Sequence, residues 1–88
     1  MGRWAPEVKR YAEVAPGDFK RFWRQTLTQA TEVGKWPVLF VREDRREWVA
    51  YVRLEDICDG RLDNDDWCVA CLSMDGFVKV FKLTDWEM

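Results

Sequence analysis

Residues 36–54 read WPVLFVREDRREWVAYVRL, and they contain the clearest structural signal in the chain. Two apolar runs, residues 38–41 and 48–52, flank the charged segment 42–47, which is the pattern of a β-hairpin. Val, Phe, Tyr and Trp favour the pleated surface of a strand. The first run is apolar at every position, whereas a strand with one solvated face would alternate apolar and polar residues. We therefore expect other elements to cover both faces of this hairpin.

A helix is predicted immediately before the hairpin, over residues 18–33. Asp18 is a good N-cap residue, Gly34 is placed to end the helix, and Pro37 prevents its resumption. Residues at i, i+3, i+4 spacing form one stripe: Phe19, Phe22, Trp23, Thr26, Ala30 and Val33. We expect this stripe to pack on one face of the hairpin.

Shorter elements are predicted on either side of this core. Residues 7–11 are interpreted as a strand, residues 55–58 as one helical turn, and the apolar run 67–72 as another strand. The terminal element fits either a strand or a helix, and Ser73 as N-cap favours the helix. The stripe of that helix would contain Met74, Phe77, Val78 and Phe81. The order β-α-β-β, then a strand and a short helix, predicts a small α/β (α+β) domain with a mixed sheet.

The total length and the charge distribution suggest one domain with two unlike halves. The chain has 88 residues, of which 48% are hydrophobic, so residues 1–88 are expected to form a single domain with a core. Residues 1–54 carry 11 Lys/Arg against 7 Asp/Glu, whereas residues 55–88 carry 3 against 9. A basic half is suited to phosphate and an acidic half to a basic protein surface, unless both are simply solvated faces.

The cysteines and the hydropathy pattern limit the cofactors and the location. The odd number of cysteines, with no signal peptide, suggests a reducing, cytoplasmic setting. Cys68 and Cys71 form a C-x-x-C motif, but the chain has no His and no second such motif, so we expect no zinc site. We interpret these cysteines as small buried hydrophobic residues. No apolar run approaches membrane-spanning length, so we expect no membrane partner.

Three segments in succession resemble a known family. They are EVKRYAEV (residues 7–14), FWRQTLTQA (22–30) and GKWPVLFVREDRREWVAYVRL (34–54). This succession resembles the second half of PD-(D/E)xK nucleases, in particular the small phage-type Holliday junction resolvases. The resemblance covers residue 6 to about residue 54. It implies a nuclease-like core over 5–54, an acidic C-terminal extension over 55–88, and a phage or bacterial origin.

The resemblance also implies a set of site residues. Glu7 would be a metal ligand and Lys9 the motif lysine, while Gln25 or Gln29 would be the helix glutamine near the active site. In the family, carboxylates bind Mg²⁺, a hard cation that prefers oxygen ligands, and the metal orients a water for attack on phosphate. The lysine charge offsets the developing negative charge. The alternative interpretation of Glu7 and Lys9 is an ordinary charge pair on a strand.

One departure from the family pattern bears on activity. A complete member has an acidic helix residue and a PD aspartate upstream of the E-x-K strand. Only six residues precede Glu7 here, and none is acidic. Because a single carboxylate holds Mg²⁺ weakly, we expect little or no cleavage by this chain alone. If it cleaves, we expect a Mg²⁺-dependent, resolvase-like endonuclease whose missing ligands come from a partner chain.

Two binding functions remain open on the sequence alone. The first is a nuclease-derived protein that binds duplex or branched DNA through phosphate contacts from Arg10, Lys20, Arg21, Arg24, Arg42, Arg45 and Arg46. The alternative is a phage-type inhibitor that occupies the site of a nucleic-acid-binding protein. Its carboxylates would take the place of phosphates, and the candidates are Asp59, Asp63, Asp65 and Asp66.

The aromatic content suggests self-association. Six Trp and five Phe exceed what a domain of this size easily buries, and exposed apolar patches usually mark an interface. We therefore expect a homodimer, with residues 67–72 or the terminal element with Trp86 at the contact.

Overall fold

The chain folds into a four-stranded sheet with a helix on each face. A computed structural model describes residues 2–58 and 66–85. Its elements are β1 (Trp4–Tyr11), α1 (Pro16–Val33), β2 (Trp36–Glu43), β3 (Val49–Arg53), α2 (Leu54–Ile57), β4 (Val69–Ser73) and α3 (Met74–Asp85). The strand order is β1-β2-β3-β4, with β1 parallel to β2 and the other neighbours antiparallel. The predicted small α/β domain with a mixed sheet is confirmed.

The hairpin predicted from residues 36–54 forms the middle of this sheet. Val38 pairs with Val52, and Val41 pairs with Val49. Successive side chains of a strand point to opposite faces, so Leu39 and Val41 share one face and Val38 lies on the other. All of these β2 side chains are buried. The expectation that both faces of the hairpin are covered is therefore confirmed.

Helix α1 covers the first face, which we call the α1 face. Phe22 and Trp23 are buried against Leu39 and Val41. The predicted stripe is confirmed at its buried positions, but Val33 is 60% exposed, so its place in the stripe is wrong. It lies in the last turn of the helix, which ends at Gly34.

The N-terminal cap of α1 differs from the prediction, whereas its C-terminal end agrees with it. The N-cap is Ala15, and Pro16 occupies the first turn, where its missing N–H costs nothing. Asp18 is therefore not the N-cap. It lies three residues further on, and its Oδ2 accepts a hydrogen bond of 3.1 Å from the Ala15 N–H. Gly34 ends the helix as predicted, with φ at 65°, a left-handed conformation that glycine adopts without a steric penalty.

Helix α3 covers the opposite face, which we call the α3 face. Phe77 is buried there against Trp4, Val38 and the β3 side chains. The Oγ of Ser73 accepts a hydrogen bond of 3.0 Å from the Gly76 N–H, which confirms the predicted cap. Val78 is 43% exposed, so its assignment to the buried stripe is wrong.

Two strand boundaries differ from the prediction. Strand β1 begins at Trp4 rather than at residue 7, because the buried Trp4 ring belongs to the core and lies 5.3 Å from the ring centres of both Trp36 and Phe77. Strand β4 begins at Val69 rather than at residue 67. The predicted helical turn corresponds to α2, one residue earlier than expected.

Candidate functional site

Glu7 and Lys9 lie side by side on the α1 face of β1. Their register partners on β2 are Leu39 and Val41, which pack against α1. The Lys9 Nζ is 3.6 Å from the Glu7 Oε1, and the two side chains are only 19% and 20% exposed. The pair is therefore a mostly buried ion pair at the edge of the sheet, rather than two fully solvated charges.

The Phe22 ring of α1 supports this pair. The Lys9 Nζ lies 5.4 Å from the centre of the ring, and the Arg21 guanidinium carbon lies 5.2 Å from it. The Tyr11 ring stacks on Phe22 at 5.0 Å. A cation near the face of an aromatic ring is attracted by its quadrupole, so Phe22 helps to hold Lys9 in place. Tyr11 is not among the predicted site residues, although its position two residues after Lys9 places it on the same face of the strand.

Gln25 and Gln29 lie on the same side of α1 as Phe22. They follow Phe22 by three and seven residues, a spacing that places side chains on one side of a helix. Both are exposed, and they line a shallow open groove together with Arg21, Arg24, Thr28 and Glu32. Neither Glu7 nor Lys9 is among the residues that line this groove, so the described residues show the glutamines on the flank of α1 next to Phe22 but in no contact with the charge pair.

The residues that the structure describes form no cluster of three potential metal ligands, so a magnesium ion at Glu7 would be held weakly. Magnesium prefers six oxygen ligands in octahedral geometry and is usually held by at least one or two carboxylates together with its waters. In residues 2–58 and 66–85, no three His, Cys, Asp or Glu side chains lie close enough together to hold a metal ion. The Glu7 carboxylate is already close to the Lys9 ammonium. The site as described offers a charge pair rather than a ligand set for Mg²⁺.

The predicted DNA-contacting residues fall on different surfaces. Arg10 and Arg42 are register partners on the α3 face, since they alternate with residues of the α1 face. Arg45 and Arg46 lie in the turn between β2 and β3, where the acidic Asp44 and Glu47 are also exposed. The exposed outer side of α1 carries the remaining three: Lys20, Arg21 and Arg24. Only this last group lies on the helix that carries Gln25 and Gln29.

The acidic residues of the inhibitor hypothesis are only partly described. Asp59, Asp63 and Asp65 lie outside the described residues, and so does Trp86. The Oδ1 of Asp66 accepts a hydrogen bond of 2.9 Å from Arg53, and its carbonyl accepts one of 2.7 Å from the indole N–H of Trp23. Asp66 therefore contributes to holding the fold together.

Arg53 connects Asp66 to α2. Its guanidinium donates two hydrogen bonds, of 2.9 and 3.0 Å, to the Asp56 carboxylate. Burial raises the pKa of the Asp56 carboxyl, against the opposing effect of Arg53. Arg53 lies on β3, and β2 separates it from the strand that carries Glu7. The fold thus places Asp66 two strands away from the Glu7–Lys9 pair.

The interpretation of Cys68 and Cys71 as buried residues is wrong. Cys68 and Cys71 are exposed and Cys58 is half-buried, and all three are free thiols. Cys71 is the register partner of Tyr51. Burial raises the pKa of the Tyr51 phenol, and the neighbouring Cys71 adds to this effect.

Comparison with protein-family models, with curated proteins and with solved structures gives no match. The likeness to PD-(D/E)xK nucleases therefore rests on the quoted segments alone and stays a prediction. Within the described residues, no helix is both long enough and apolar enough to cross a lipid bilayer.

Proposed function

We propose that this chain is a nuclease-like, DNA-binding domain that holds the phosphate backbone on the exposed outer side of α1 and cuts DNA slowly or not at all by itself. The observation that carries the proposal is the pairing of Glu7 and Lys9 at 3.6 Å on the sheet face that α1 covers, with Gln25 and Gln29 exposed on that helix. This is the arrangement that the resemblance to the resolvases leads one to expect.

The outer side of α1 provides the chemistry for phosphate contact. Arg24 and Gln25 are exposed donors that border the same open groove. Arg and Gln side chains are common donors to phosphate oxygens, and such contacts carry little sequence preference. Lys9 adds a positive charge at the edge of this surface, although Glu7 offsets part of it. Binding should therefore be electrostatic, modest in strength and independent of base sequence.

A salt titration tests this proposal. We expect a fluorescently labelled duplex and a labelled four-way junction to bind at low salt, with log affinity falling linearly as log salt concentration rises. Adding Mg²⁺ should not strengthen binding, because the described residues hold no ligand set for it. We also expect no cleavage of the junction above background on a sequencing gel.

Two matched arginine variants locate the binding surface. Arg24→Gln removes a charge from α1, whereas Arg10→Gln removes one from the α3 face. We expect Arg24→Gln to lower the slope of the salt dependence by about one, and Arg10→Gln to leave it unchanged. Equal effects of the two variants on the salt dependence would contradict binding on the outer side of α1. No binding at low salt would overturn the proposal and would favour the inhibitor hypothesis, with Asp59, Asp63 and Asp65 as the first residues to mutate.

A further inference from the structure

Strand β1 has an open edge whose hydrogen-bonding groups can be assigned. Its first residue pairs with Trp36 and its last with Glu43 in a parallel ladder, and among the described residues β1 pairs with β2 alone. The ladder is flanked by bonds from the Trp36 N–H to the Arg3 carbonyl and from the Asp44 N–H to the Tyr11 carbonyl. In such a ladder alternate residues bond the neighbouring strand. Odd-numbered residues of β1 therefore bond β2, and residues 4, 6, 8 and 10 direct their backbone groups to the open edge.

We propose that this edge pairs with the same edge of a second copy of the chain, antiparallel and with a two-fold axis at Val8. In this register Val8 opposes the partner's Val8, Glu7 opposes the partner's Lys9, and Lys9 opposes the partner's Glu7. The edge is thus self-complementary in charge, as a two-fold interface requires. Opposite charges on directly opposed residues stabilise an antiparallel pair, and like charges destabilise it.

The backbone groups of the edge select the same register. The N–H and C=O of Val8 both point outward, so the two copies of Val8 exchange a pair of hydrogen bonds at the axis. The Arg10 N–H then donates to the carbonyl of the partner's Pro6. Because Pro6 has no N–H, the facing Arg10 carbonyl is the one group left without a hydrogen bond. An axis at Pro6 would remove the central pair of bonds. An axis at Glu7, Lys9 or Arg10 would place each of these charges opposite its own copy.

The side chains and helices are also compatible with this pairing. Val8 is 57% exposed on the α3 face, and its copy would cover it. The two-fold axis is perpendicular to the sheet, so both copies of α1 lie on the same face. Because α1 packs over β1 and β2 and strands lie about 4.8 Å apart, the two helix axes fall about 10–14 Å apart. This separation is at or beyond the usual packing distance of helices, so the two helices do not collide.

Charge reversal tests the register directly. Glu7→Lys places Lys opposite the partner's Lys9, and Lys9→Glu places Glu opposite the partner's Glu7. We expect the wild type to sediment as a dimer at tens of micromolar and each single variant to dissociate about tenfold more readily. An equimolar mixture of the two variants should recover the wild-type dimer, because each chain then meets an opposite charge on the other. The swapped variant Glu7→Lys/Lys9→Glu should also dimerise, since both the internal pair and the cross-strand pairs are restored.

The mixture separates pairing between chains from the ion pair within one chain. Both single variants lose the internal Glu7–Lys9 pair, and mixing cannot restore it. Val8→Asp should weaken the dimer, whereas Val78→Asp, the same change at an exposed valine of α3, should not. Thermal melts followed by circular dichroism show that each variant is folded before it is sedimented. A monomeric wild type, or a dimer that is indifferent to both charge reversals, would overturn the proposal.

Discussion

The Glu7–Lys9 pair sets a specific expectation for single-residue substitutions. The Lys9 ammonium lies 3.6 Å from the Glu7 carboxylate, so its positive charge is partly offset. We expect Lys9→Ala to weaken DNA binding about two- to threefold, as a partly neutralised phosphate contact would. Glu7→Ala should leave the affinity unchanged or slightly higher, because it removes a negative charge from the surface. Anisotropy titrations at one fixed low salt concentration measure both effects.

Cleavage assays of variants at the same two residues could contradict the proposal. If Glu7 were a working metal ligand, Glu7→Ala would abolish a strong Mg²⁺-dependent nicking activity in the wild type. Such a result would show that further ligands reach Glu7 from outside the described residues. Lys9→Arg is a suitable companion variant, because it keeps the charge and should keep the DNA affinity close to that of the wild type.

At the scale of elements, the packing of α1 on the sheet depends most on Trp23. Its side chain is fully buried, and its indole N–H donates to the Asp66 carbonyl at 2.7 Å. We expect Trp23→Ala to lower the free energy of unfolding by ~3–5 kcal/mol, the usual range for a buried large aromatic side chain. Against a total of roughly 5–15 kcal/mol, this loss is a large fraction of the stability. Urea titration followed by circular dichroism measures it.

The matched control for this prediction is Trp67→Ala. Trp67 is 47% exposed and lies just before β4, so the same substitution should cost markedly less. An equal loss at the two positions would contradict the placement of α1. Trp23→Phe should fall between the two, because it keeps an aromatic ring but removes the donor to Asp66.

Arg53 joins β3, α2 and the segment before β4. Its side chain is 18% exposed, and that of its partner Asp56 is 5% exposed. We expect Arg53→Ala to lower the free energy of unfolding by ~2–3 kcal/mol, somewhat less than for a fully buried pair, because the substitution leaves the Asp56 carboxylate without its main partner. A thermal melt of the purified variant measures the change.

A second substitution tests the reason for this loss. In the Arg53→Ala background, Asp56→Asn should recover part of the stability, because the charge that was left unpaired is gone. Arg24→Ala serves as the control, since that side chain is exposed on α1 and should change the stability by no more than about 0.5 kcal/mol. A loss at Arg24 as large as that at Arg53 would contradict the role assigned to Arg53.

At the scale of the whole molecule, the fold divides the basic half of the chain between two faces. Residues 1–54 carry the excess of Lys and Arg, but Arg10 and Arg42 lie on the α3 face, away from Lys20 and Arg24 on α1. The surface available to DNA is therefore narrower than the composition suggests. A dimer formed through β1 would place two such α1 surfaces on the same face of one continuous sheet, side by side across the axis.

The structure buries more of the aromatic side chains than the predicted dimer through residues 67–72 or the terminal element assumed. Trp4 and Trp23 are buried, and Trp36 and Trp48 are half-buried, so of the tryptophans that the structure describes only Trp67 is exposed. Two helices on a two-sided sheet bury more aromatic surface than the length of the chain suggests. The homodimer stays a prediction, and the edge of β1 offers it a more specific surface than residues 67–72.

The order of the elements, and the bounds of the central ones, follow from local patterns in the sequence. The apolar run at residues 38–41 required cover on both faces, the stripe through Phe22 and Trp23 supplied one cover, and Gly34 set the end of α1. Ser73 likewise marked the start of α3. These features are local, because period, capping and turn chemistry act over a few residues and can be read from the letters.

Which of these residues meet depends on the packing of the whole domain. The 3.6 Å contact between Glu7 and Lys9 joins two residues of the same strand. In contrast, the Phe22 ring beneath Lys9 and the hydrogen bonds from Trp23 and Arg53 to Asp66 join residues that are far apart in the chain. The division of the arginines between two faces and the open edge of β1 depend on strand order, which no local pattern specifies. Packing fixes such contacts through the shape and burial of the whole core, so they become visible only once the sheet and both helices are in place.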